Sequence, residues 1–177
     1  NIIVDHDWFT HMIEPFADQK IIGTEPWEYI SRENDGYINR YTAMLGMSDT
    51  VVLFLGNYDR LCTLTGRWTD LPIKTTDRGS YLFWDIDPKM LPTIGANGTI
   101  FRASFFEAVT LDDFLFDIDV LYEYTLKHTA RFAKVKIGIV HLFSGSVQIF
   151  IRKQRRRIKD YAYFQAVGLR KYPWNTL

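Results

Sequence analysis

The stretch from Phe132 to Phe143 constrains this chain more than any other. Ala133, Val135, Ile137, Ile139 and His141 fall on one face of a strand, and Lys134 and Lys136 on the other. Alternation this regular specifies a strand and its register, because a one-residue slip would turn every apolar group to the opposite face. Ser144-Gly145-Ser146 then supplies a turn and a helix cap. Val147 to Phe164 follows as a long basic amphipathic helix, with Val147, Phe150, Ile151, Ile158 and Tyr161 expected on its inner face. A strand feeding directly into a helix, in a chain that mixes both, sets the class as α/β.

The rest of the chain reads as shorter pieces. Asp7 is placed to cap a helix through Trp8, Met12 and Phe16. Lys20 to Gly23 is a short apolar stretch, Ser31 to Gly36 a polar loop, and Arg40 to Met47 has helical spacing. Thr50 to Leu55 is a run of β-formers ending at Gly56, which predicts a buried strand. Asn57 to Arg78 reads as an ordered loop carrying Trp68. A short strand is expected at Thr99 to Phe101 and a short helix at Ala103 to Val109. Thr110 and Asp113 form a Thr-x-x-Asp capping pattern, after which Asp112 to Lys127 reads as a helix.

At 177 residues the chain fits one domain over 1–177, long enough for a real core. Its net charge is zero, which argues against a nucleic-acid partner, but the charge is uneven. Acids cluster at 112–119 and bases at 152–159. Cys62 is the single cysteine, so no internal disulfide forms and a cytoplasmic location or the cytoplasmic face of a membrane is expected. No apolar run reaches the roughly 18 residues of a membrane span.

Four places carry candidate chemistry. In the acidic stretch, Asp113 and Asp117 stand at i,i+4 and repel by roughly 0.2–0.5 kcal/mol. A carboxylate held there among Phe114, Phe116, Ile118 and Val120 is a candidate general base, with Asp119 beside it, because repulsion and burial raise proton affinity. A capped, solvated helix start is the plainer alternative for Asp112 and Asp113. His141 ends the apolar row of its strand at the carboxyl edge, where ligands of open α/β sheets gather; it is either a metal ligand or a core histidine. Pro92-Thr-Ile-Gly-Ala-Asn-Gly98 serves either as a ligand-approaching loop or as a simple turn. The bases around Gln154 suit a diphosphate clamp, a membrane surface, a nucleic-acid patch or a solvated face.

These features also occur in one order. Pro92 to Gly98 with Arg102, then Asp113-Phe-Leu-Phe-Asp-Ile-Asp119, then Val140-His-Leu-Phe143, then Gln154-x-x-Arg157, resembles the family 2 glycosyltransferases of GT-A fold. Asn1 to Phe9 resembles the segment directly after that family's Asp-x-Asp metal motif, so the resemblance implies an acceptor-side portion, incomplete at its N-terminus and inactive by itself. Asp5 and Asp7 offer a second reading as the motif itself. It is set aside because Trp8 and Phe9 open a helix immediately after, whereas the family motif ends a strand, and no strand is expected before residue 5.

The resemblance implies a GT-A-like mixed sheet flanked by helices, and inverting transfer of a sugar from a nucleotide-sugar donor to a glycan or lipid-linked acceptor. It implies Asp117 as the base, Asp119 as a second acid, and His141 in a Mg²⁺ or Mn²⁺ site. It also implies Asn97, Gly98, Arg102, Asp113, Gln154 and Arg157 as donor or acceptor contacts. Two departures stand out. Phe116 replaces the glutamate before the base, and Ile158 replaces the tryptophan of the processive Gln-x-x-Arg-Trp motif, which argues against a polymerase. The alternative is a non-enzymatic domain that docks anionic membrane or nucleic acid through 152–159.

Overall fold

In the computed structural model, residues 1–54, 56, 58, 60–110 and 117–173 are described. The chain runs β1 (Ile2–Ile3), α1 (Trp8–Ile13), a 3₁₀ turn (Glu14–Ala17), β2 (Ile21–Ile30), α2 (Tyr37–Leu45) and α3 (Thr50–Phe54). It continues through β3 (Thr76–Asp77), β4 (Tyr81–Asp85), β5 (Ile100–Phe101), α4 (Ala103–Glu107), α5 (Asp117–Thr125), β6 (Arg131–His141) and α6 (Val147–Ala166).

The strands form one mixed, open sheet in the order β3-β4-β6-β2-β5, with β1 also pairing with β6. The class is α/β, as expected. Among the described residues only β2 and β6 run parallel, from Ile21 opposite Arg131 to Ile30 opposite Val140. The other pairings are antiparallel. The two central strands are largely buried, as strands covered on both faces are. One cover is a cluster of Ile22, Trp84 and Phe132 with Leu91, Ile94, Phe105, Ile118 and Leu121, which seats α4, α5 and the 91–94 segment. Elsewhere Ile21, Phe83 and Ala133 pack with Phe16, while Tyr29 and Ile139 pack with Trp8 and with Ala43 of α2.

Three expectations need correction. Thr50–Phe54 is a helix, not a strand, because Asp49 caps it: its Oδ1 accepts from the Val52 N–H at 3.3 Å. A satisfied helix start outweighs the modest strand preference of valines. A strand also precedes residue 5, since Ile2 and Ile3 pair with His141 and Val140. One of the two grounds for setting aside Asp5 and Asp7 therefore falls, while the other, a helix opening at Trp8 directly after them, holds.

The third correction concerns α6. Of its expected inner residues, Ile158 is 54% exposed and Val147 48%, with Ile151 and Tyr161 also exposed. Phe164 is buried instead, and Phe150 packs edge-on against Phe143 and Tyr41. The inward face also carries polar heads. Lys153, Gln154 and Arg157 turn toward the body of the protein and find backbone acceptors there.

Candidate functional site

The carboxyl end of β6 is where segments far apart in sequence meet. His141 is the last residue of β6, opposite Ile2, and its ring lies 5.1 Å from that of Tyr29 and 5.6 Å from that of Phe143. Trp8, just after β1, packs on Tyr29 and Ile139. Gly98 comes to the same place with φ +75°, and a Cβ added to it would lie 3.1 Å from both Ile139 and Pro26 and 3.5 Å from Trp8. Only glycine takes that backbone angle readily and fits that gap. Segments 1–9, 92–98 and 139–143 therefore converge on one edge of the sheet.

The loop is anchored by a charge cluster that sequence reasoning missed. The Asn97 carbonyl accepts from Arg60 Nη2 at 3.1 Å. Arg60 is fully buried and pairs with Glu25, which also pairs with Lys134, its cross-strand neighbour in the parallel pair. Lys134 lies 4.5 Å over the Trp68 ring. Three ionised groups at 0% exposure hold together because each charge has a partner and the aromatic faces receive the ammonium. No local pattern marks Arg60 and Glu25, which are 35 residues apart.

Beneath the loop, Ile94 and Leu91 share a cluster with Ile118 and Leu121 of α5. Asp117 is the first residue of α5, and its side chain lies outside the described residues, as do Asp112 and Asp113. Asp119 is 3% exposed and faces the C-terminal segment. Its carboxylate accepts from the Lys171 and Tyr172 backbone N–H groups and pairs with Arg170 at 2.7 Å. It is a clasp between α5 and the chain end, not an acid open to a substrate.

Other expected contacts are likewise committed within the fold. Arg102 donates from Nε to the Ile21 carbonyl at 2.7 Å and from Nη2 to the carbonyls of Phe16 and Asp18. That places it at the amino end of β2, away from His141. Gln154 and Arg157, one turn apart, both donate to the Ser48 carbonyl at 2.7 Å, and Arg157 also pairs with Asp49 at 3.5 Å. They pin α6 to the α2–α3 link.

His141 lies in positively charged surroundings. Burial first, then positive charge around it, with Lys153, Arg157 and Arg60 among its sources, pushes its pKa down to about 4, so the ring is neutral near pH 7. Among the described residues no three His, Cys, Asp or Glu side chains stand together as ligands, and Asp7 is instead paired with His11 at 3.3 Å. His141 Nδ1 is buried with no hydrogen-bond partner among the described residues. Among them, too, no helix is long and apolar enough to cross a membrane. Compared with family models, with curated proteins and with solved structures, the chain matches none.

Proposed function

We propose that this chain is the acceptor-side part of an inverting glycosyltransferase of GT-A type. It would move a sugar from a nucleotide-sugar donor to a hydroxyl of a glycan or lipid-linked acceptor. The observation that carries the proposal is the convergence of three motif segments at the carboxyl end of β6, with α5 packed beneath the 91–94 segment. Open α/β sheets bind ligands outside such an edge.

In this reading the acceptor hydroxyl meets Asp117 at the start of α5. Its oxygen attacks the anomeric carbon as the bond to the nucleoside diphosphate breaks. The diphosphate leaves with the electron pair, and Asp117 takes the proton. Gly98 keeps the loop close to the sheet without a side chain in the way, and Arg60 fixes the carbonyl of Asn97. Asp119, Arg102, Gln154 and Arg157 hold the framework.

Asp117→Asn in the full chain tests the proposal. Sugar transfer should fall by about 10²–10⁴ while nucleotide-sugar binding, followed by calorimetry, persists. Transfer at the unaltered rate would remove Asp117 from the role of base.

A further inference from the structure

The sugar-transfer reading makes no use of the outward face of α6. Val147, Ile151 and Ile158 follow at spacings of four and seven, so they form one line along the helix, and they are 48%, 43% and 54% exposed. Arg155 stands one turn from both isoleucines, four residues after Ile151 and three before Ile158. Arg152 and Lys159 flank it in a parallel line. All three bases are exposed, and none forms an ion pair among the described residues. An aliphatic line beside an unneutralised basic line is the pattern of a helix lying in a bilayer interface.

We infer that α6 docks flat on an anionic lipid bilayer, with Val147, Ile151 and Ile158 among the upper acyl chains and Arg152, Arg155 and Lys159 on lipid phosphates. The charge pattern selects a membrane over nucleic acid. A phosphodiester backbone would engage the bases and leave the isoleucines in water, whereas the headgroup boundary receives both lines at once. The helix stays rigidly attached to the protein while it does so, because its other side is fixed through Gln154 and Arg157 to Ser48. The inference stands whether or not the chain transfers sugar.

Sedimentation of the full chain with vesicles tests it, using phosphatidylcholine alone and with about one third phosphatidylglycerol. Binding is expected to the anionic vesicles only, and to weaken with salt. Removing one base near a charged surface weakens binding about 5-fold, so Arg155→Glu with Lys159→Glu should weaken it at least ~25-fold. Ile151→Ser with Ile158→Ser should weaken it about 10-fold with charge unchanged. These positions are exposed, so circular dichroism should match the parent chain. Equal binding to neutral vesicles, no binding to either, or full binding by the isoleucine variant would overturn the inference. So would capture by single-stranded RNA in preference to the vesicles, with no effect of the isoleucine changes.

Discussion

At the scale of single residues, His141 shows how burial and field act together. In the unfolded chain an imidazole titrates near 6.5; in the fold it is held neutral down to about 4. Between those values the unfolded state binds more protons. The contribution of His141 is therefore complete above about pH 6.5 and is lost as pH falls toward 4. With the ring only half-buried, the loss by pH 5 amounts to about 1–2 kcal/mol. Urea unfolding at pH 7 and pH 5 checks this. His141→Phe, which keeps the ring contacts with Tyr29 and Phe143, should flatten the decline. An equal decline in both proteins would mean that the acid sensitivity lies elsewhere.

At the scale of elements, the α6 clasp explains why a basic helix lies against the body at all. Gln154 and Arg157 share one carbonyl, that of Ser48, and Arg157 adds Asp49. Hydrogen bonds from a charged donor are worth about 1.5–3 kcal/mol each. Arg157→Ala should therefore cost about 2 kcal/mol in urea unfolding and speed amide exchange in α6, whereas Arg157→Lys should recover only part, lacking the fork. The same clasp shows why the sequence places Phe150 correctly on the inner face of α6 but Val147, Ile151, Ile158 and Tyr161 wrongly. An amphipathic pattern assumes that aliphatic groups go in, but here Phe150 and Phe164 suffice and polar heads take backbone acceptors. β6 was legible because its alternation is local. β2 was not, because Gly23 and Pro26 look like breakers. Gly23 is there because a Cβ would lie 2.4 Å from Phe132, and Pro26 falls where the register with β6 shifts. In the candidate site, the Asn97–Gly98 loop and His141 were visible as motifs. Arg60 and Glu25 were not, since a buried ion pair between distant segments leaves no periodic trace.

At the scale of the whole molecule, the C-terminal segment connects the two surfaces to which roles are assigned. From α6 the chain turns back, Tyr172 enters the cluster around α5, and Asp119 gathers Arg170, Lys171 and Tyr172. Lys171 Nζ also reaches Glu123, one turn further along α5. The element that carries Asp117 is thus tied to the segment that follows α6. Asp119→Ala would remove the carboxylate that two backbone N–H groups and the largely buried Arg170 engage. Removing one partner of such a pair costs about 3–5 kcal/mol. The expected result is a much lower midpoint in urea and rapid cleavage of the segment after α6 by an endoprotease. Asp119→Asn keeps an oxygen for the N–H groups and loses the charge, so it should fall between the variant and the parent. A catalytic acid would behave otherwise, with activity lost at unchanged stability in both variants. That outcome would return Asp119 from the framework to the chemistry.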